Sequence, residues 1–140
     1  MPNTRRTFPL ISANAFISST DKLALDNLQK MPILPLILRK FNEWTIDNLL
    51  YASNSAESIR CSEQQFPTLY RLLKESCAVL DVPEPELYVR YNPTYNAYTS
   101  GVNRTYIVLH SALLDAFSED ELRYIIGHEL GHIKCGHVLY

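Results

Sequence analysis

The 140-residue sequence has no run of lysine or arginine, no Cys-x-x-Cys pair, no internal repeat, and no apolar stretch approaching the ~20 residues of a membrane helix. Each absence excludes something. Without a basic stripe, and with a net charge of −2 and a pI near 6.1, the chain has no electrostatic footprint for nucleic acid or an anionic membrane. The most apolar run, Ile33 to Leu38, is too short to span a bilayer and is interrupted by Pro35. Cys61, Cys77 and Cys135 cannot all pair within the chain and lack structural-zinc spacing, so a reducing, cytoplasmic setting is expected. Thr4-Arg5-Arg6-Thr7-Phe8 looks like the start of a twin-arginine signal, with Ala13-Asn14-Ala15 as a cleavage site. Ser12, Asn14, Ser18 and Ser19 break up the apolar segment such a signal needs, and a mobile N-terminal tail is expected instead. The rest of the composition, 46% hydrophobic and 20% charged, suffices for one ordinary core.

The stretch from Ser118 to Tyr140 carries the chemistry. Ser118 and Glu121 form a Ser-x-x-Glu capping box, and Glu119 and Asp120 add negative charge to the first turn. Apolar residues recur at Leu122, Ile125, Ile126, Leu130, Ile133 and Val138, so this stretch is expected to be a helix. On it lie His128, Glu129, Leu130, Gly131 and His132. Each helical residue turns about 100°, so two histidines four apart project from one face, as two imidazoles sharing a Zn²⁺ must. Glu129 sits beside them, placed to be a base, and the spacing is that of a zinc-peptidase motif.

An ordinary amphipathic helix with two surface histidines would have the same letters. Gly127 and Gly131 argue against it: each costs a helix interior roughly 1 kcal/mol relative to alanine, which suggests that a strand or substrate backbone packs very close there. The metzincin arrangement is absent, because its chain-turning glycine and third histidine fall here on Cys135 and Val138. If the helix continues, His137 lies about 180° around from His128 and cannot share its metal. Cys135 lies on the metal face but one turn further along, where a short thiol would struggle to reach.

Upstream, Ser19 or Thr20 can cap a short helix from Asp21 to Lys30, with Leu23, Leu25 and Leu28 for burial. A second helix is expected from Pro35 to about Ser53, with Ile37, Phe41 and Trp44 as an apolar stripe. Ser53-Asn54-Ser55 is a polar break, and the boundary of a helical N-terminal extension is placed near Ile59. Pro67 suits a third helix start, with Leu69, Leu72, Leu73, Cys77 and Leu80 on one face and Asp81-Val82-Pro83 as its stop. Cys77 is then a buried thiol. Leu87 to Tyr91 alternates as a half-buried strand, and Asn96 to Ser100 and Thr105 to His110 flank the turn Gly101-Val102-Asn103-Arg104 as a hairpin. His110 is expected to be a strand-end polar group, followed by a short helix from Ser111 through Phe117. The order α-α-α-β-β-β-α-α is an α+β architecture: residues 1–60 as the extension, and residues 61–140 as a small three-stranded sheet packed on the metal helix. The strand Thr105 to Leu109 is expected to leave one edge open for an extended peptide.

From about Ser62 to Tyr140 the chain resembles the HtpX and CAAX-prenyl-protease family of zinc metalloendopeptidases, in the gluzincin clan. The likeness rests on Phe66-Pro67, Val82-Pro83-Glu84-Pro85, Asn96-Ala97-Tyr98-Thr99-Ser100-Gly101, the strand ending in Leu109, Ser118-Glu119-Asp120-Glu121-Leu122, and His128 through His137, in family order. It implies zinc as cofactor, His128 and His132 as ligands, Glu129 as general base, and a glutamate on a helix well downstream as third ligand. The third ligand would fall beyond Tyr140, so the chain is expected to be a fragment or a truncated product, with any membrane association lying in the missing C-terminal part. Asn96, Ala97, Tyr98, Thr105, Tyr106 and Ile107 are the expected substrate-binding residues, and a protein or peptide is the expected partner. Two function classes stay open: a zinc endopeptidase, and a catalytically silent module that binds a peptide or a subunit.

Overall fold

The computed structural model describes residues 7–12, 17–30, 36–38, 40, 47–101 and 104–137. Helix α1, Ser19–Gln29, forms close to the expected span but starts two residues before Asp21, and Ser18 rather than Ser19 or Thr20 stands at its start: Ser18 Oγ accepts from the Asp21 N–H at 3.1 Å. Leu23 is exposed rather than buried. The expected second helix falls partly outside the described residues, Phe41 and Trp44 among them. Its described portions are helical at 36–38 and 40 and in α2, Asp47–Glu57. The tail reading also needs amending, since within residues 7–12 the Phe8 and Leu10 N–H groups bond to the Val79 carbonyl and the Asp81 carboxylate.

The sheet has four strands, not three. Ser58–Arg60 forms β1, which pairs antiparallel with β2, Glu86–Arg90, and joins the end of the expected extension to the sheet. A three-residue strand is too short to show period-two alternation, which is why it is missed in sequence. β3, Ala97–Ser100, and β4, Tyr106–His110, form the expected antiparallel hairpin. In their connection Gly101 has φ 92°, and a Cβ there would run into the Arg104 carbonyl oxygen. β4 then inserts parallel to β2, so the order is β1-β2-β4-β3.

This order corrects the expected open edge. β4 is bonded to β2 on one side and β3 on the other, and all five of its residues are buried; the exposed edge beside the helix that carries His128 and His132 belongs to β3. β2 is likewise covered on both faces rather than half-buried. Leu87, Val89, Ile107 and Leu109 pack on one side against helix α3, Pro67–Leu80, and against helix α5, Glu119–Cys135, which carries the histidine motif. Tyr88, Tyr106 and Val108 pack on the other with Tyr51 of α2 and Tyr98. Between β4 and α5 lies the short helix α4, Ser111–Ala116.

Helices α3 and α5 form the layer that positions the site. Leu69, Leu72, Leu73 and Cys77 meet Leu122, Ile126 and Leu130 in one apolar seam. Ion pairs line its margin, Arg123 to Glu75 at 2.9 Å and Arg71 to Glu119 at 2.8 Å. The hydrogen bonds from Arg71 and Arg123 hold the Glu75 carboxyl below its ordinary pKa. Burial pushes the thiols of Cys61 and Cys77 up to about 12, as suits inert core cysteines. All three cysteines are free. Among the described residues no helix is long and apolar enough to cross a membrane.

Candidate active site

The capping box forms as its residues imply: Ser118 Oγ accepts from the Glu121 N–H, and the Glu121 carboxylate accepts from the Ser118 N–H at 2.8 Å. These bonds hold the Glu121 carboxyl below its ordinary pKa. From this start α5 carries His128 and His132 onto one face, and their Nε2 atoms lie 3.1 Å apart with the rings at 88°. Glu129, one residue round the helix, turns toward the sheet and is buried. One ligand atom from each of His128, Glu129 and His132 lies within 4.8 Å of the others. The histidine pair opens outward while the carboxylate rests against the edge strand.

The profile of Peptidase family M48 matches residues 63–140, more than half of the chain. The chain belongs to peptidase family M48. It is 36% identical over 93 residues to the plastoglobule-localized metallopeptidase 48, chloroplastic, of Arabidopsis thaliana, covering 65% of this chain and 27% of that protein. A protease HtpX homolog of Streptococcus uberis is 27% identical over 143 positions, covering 94% of this chain and 48% of the relative. Another, from an Arthrobacter species, is 33% identical over 95 residues, with 66% and 32% covered. The chain thus spans between about a quarter and a half of the length of these curated relatives.

Around the M48 motif helix, the structure draws the expected substrate-binding residues apart. The His110 N–H bonds to the Asn96 carbonyl, which makes Asn96/His110 a hydrogen-bonded pair of the ladder. Pair types alternate along an antiparallel ladder, so the backbone groups of Ala97 and Thr99 point away from β4 toward the open edge. Side chains alternate too: Ala97 and Thr99 face α5, whereas Tyr98 lies on the opposite face against the His110 ring. Thr105, Tyr106 and Ile107 offer no free edge. The Thr105 carbonyl accepts from the Glu86 N–H, and Tyr106 and Ile107 sit inside the ladder at 2% and 0% exposure. A peptide cannot add to a strand already paired on both sides.

Thr99 is the residue that sequence reasoning passes over. Its hydroxyl donates to Glu129 Oε2 at 2.7 Å. Alternation places Thr99 on the same face as Ala97, but nothing local tells which face meets the helix. A cleft of about 630 Å³ runs from this point, lined by Tyr95, Leu113, Phe117, Tyr124 and Ile125 and reaching Glu129.

Two expectations about the end of the helix change. α5 stops at Cys135 because Gly136 adopts φ 72° and bonds its N–H back to the His132 and Ile133 carbonyls. His137 therefore does not continue around the helix but folds back, its Nδ1 lying 3.3 Å from His132 Nδ1. The expected close approach at Gly127 is not found either, since a Cβ there would meet nothing within 4 Å. Cys135 is buried and stands outside the trio of ligand atoms. His110 is also remote, its Nδ1 within reach of the Thr94 hydroxyl and carbonyl.

Proposed function

We propose that this chain provides the motif-helix portion of a zinc-dependent metalloendopeptidase, with His128 and His132 as metal ligands and Glu129 as general base. The observation that carries the reading is the 3.1 Å separation of the two Nε2 atoms, with the buried Glu129 carboxylate beside them. Tetrahedral zinc with bonds of about 2.0–2.1 Å holds its ligand nitrogens roughly 3.3 Å apart, so the donor pair fits the ion with little adjustment. A catalytic zinc site takes three protein ligands and a water; the third is assigned to a carboxylate outside the described residues, as the resemblance implies.

When bound, the ion would supply Lewis acidity to the scissile carbonyl and lower the pKa of its water towards ~7. The chain's own groups do the rest. Thr99 engages Glu129 Oε2, which leaves Oε1 to take the proton of the attacking water and return it to the departing amine. An extended peptide would lie along β3, its main chain bonding the outward N–H and C=O groups of Ala97 and Thr99, with Asn96 at the end of the strand and Tyr98, whose main-chain groups face β4, making no bond to it. A peptide on that edge would bring its carbonyl toward Glu129 and the histidine pair, a course supported by the Thr99–Glu129 bond.

Titration of the metal-free chain with Zn²⁺ against a competing chelator tests the assignment. The wild type is expected to take one equivalent, and His128→Ala and His132→Ala each to abolish it. Uptake of no zinc by the wild type, or uptake by either alanine variant equal to that of the wild type, would sink the reading.

A further inference from the structure

We infer that His137 is a positioning residue for the metal site: it accepts a hydrogen bond from His132 Nδ1–H and so fixes His132 in the tautomer whose Nε2 lone pair faces His128. The inference rests on the metal reading above and extends it to a residue outside the ligand set.

The geometry leaves a narrow choice. His132 has a neighbour at each ring nitrogen, His128 Nε2 at 3.1 Å from its Nε2 and His137 Nδ1 at 3.3 Å from its Nδ1. A neutral imidazole carries one proton, on one nitrogen, and its other nitrogen is an acceptor. Two neutral rings meeting Nδ1 to Nδ1 must therefore divide the roles, one donating and one accepting. If His132 held its proton on Nε2, that nitrogen could bind no metal. With the proton on Nδ1, His137 Nδ1 is the acceptor that receives it, and Nε2 is left with a lone pair directed at the shared site. His137 thus sits across the ring from the metal side, which is why it falls outside the trio of ligand atoms.

The fold supplies His137 by a device anchored on the ligand residue itself. Gly136 is left-handed, and its N–H bonds to the carbonyls of His132 and Ile133. The turn that ends the helix is therefore tied to the backbone of the residue whose ring His137 touches. The rings meet at 49° with centroids 5.5 Å apart, a tilted contact rather than a stack, in which the 3.3 Å approach of the two Nδ1 atoms is the polar interaction. Ligating histidines generally donate their second nitrogen to an acceptor, and removing that acceptor typically costs 10–100-fold in metal affinity. Here the acceptor is a second imidazole.

The experiment combines zinc affinity with a direct view of the tautomer. In the full chain, long-range ¹H–¹⁵N correlation spectra of zinc-loaded protein should show His132 protonated at Nδ1 and coordinated through Nε2. Chelator competition should show His137→Phe, which keeps a ring but no acceptor, binding Zn²⁺ roughly 10–100-fold more weakly. His137→Gln, whose amide oxygen can accept, should recover most of that loss. Coordination of His132 through Nδ1 would overturn the inference on the wild type alone, without any variant. So would a Phe variant as tight as wild type, or a Gln variant as weak as Phe. If the wild type binds zinc and the His137 variants are indifferent, only this inference fails; if the wild type binds none, the metal reading fails first and takes this one with it.

Discussion

The hydroxyl of Thr99 donates to Glu129 Oε2 across 2.7 Å, tying the edge strand of the sheet to the helix that carries both histidines. One bond thus connects the backbone edge proposed to hold a peptide with the carboxylate proposed to move its proton. Replacing Thr99 with Val keeps the shape and removes the donor, leaving a buried carboxylate without it. Hydrogen bonds to charged groups contribute about 1.5–3 kcal/mol, so Thr99→Val is expected to lower the melting temperature by several degrees while Thr99→Ser stays close to wild type. Thermal unfolding followed by circular dichroism reads the difference; equal melting of Val and wild type would show that the bond does not hold Glu129.

Glu129 itself separates chemistry from metal binding. In protein carrying the complete ligand set, Glu129→Gln should retain stoichiometric zinc and lose peptidase activity by roughly 10²-fold or more, because the amide keeps the shape and loses the base. His128→Ala should lose metal and activity together. Full activity in the zinc-loaded Gln variant would remove the general-base role, and loss of zinc would make Glu129 a ligand.

The open edge of β3 can be tested through its outward N–H groups. Ala97 donates nothing to β4, so Ala97→Pro should leave the ladder and the fold intact, as proline is tolerated on the solvent side of an edge strand. It removes one main-chain donor, and a bond contributing about 0.5–1.5 kcal/mol should appear as a roughly three- to tenfold rise in KM with kcat little changed. Val108→Pro, in the middle of the sheet, should unfold the protein. A KM untouched by Ala97→Pro would move the peptide off this edge.

The buried thiols make an alkaline prediction whose sign follows from their raised pKa values. Unfolded cysteines lose protons from about pH 8.5, whereas Cys61 and Cys77 hold theirs in the fold until about 12. The unfolded state therefore releases protons first, and stability should be full below pH 8.5 and fall as pH rises from there toward 12. Chemical denaturation across that window measures the slope, and Cys77→Ser should flatten it. At pH 8 both thiols should resist a disulfide reagent in the native state and react once guanidinium is added; fast native reaction would contradict their burial.

How far the chain is legible without coordinates differs from element to element. The histidine-bearing helix is readable to its cap, because Ser118 and Glu121 act within one turn and His128 and His132 are related by helix pitch alone. Cys77 is readable as a core thiol for the same reason, its neighbours lying at i−4 and i+3 on one face. β1 is not readable, since Ser58-Ile59-Arg60 acquires its strand character from pairing with β2. The edge position is misread because Thr105 to His110 has the β-branched and aromatic composition of any well-packed strand, and composition says nothing about which neighbours arrive on either side.

Short-range geometry, then, is what the sequence determined: two imidazoles on one helical face, a carboxylate beside them, a capped start and the hairpin at Gly101. These relations span at most a few residues and are set by pitch, capping and turn chemistry. Contacts between elements, and the one made past the end of the helix, were decided only by the tertiary structure. The parallel insertion of β4 between β2 and β3 moved the free edge to Ala97 and Thr99 and brought a threonine 30 residues away onto Glu129. The left-handed Gly136 turned His137 back onto His132, a contact no helical wheel contains because it depends on where the helix stops. Strand order is settled by which packing buries the most apolar surface with every backbone group paired, and that comparison exists only for the whole chain.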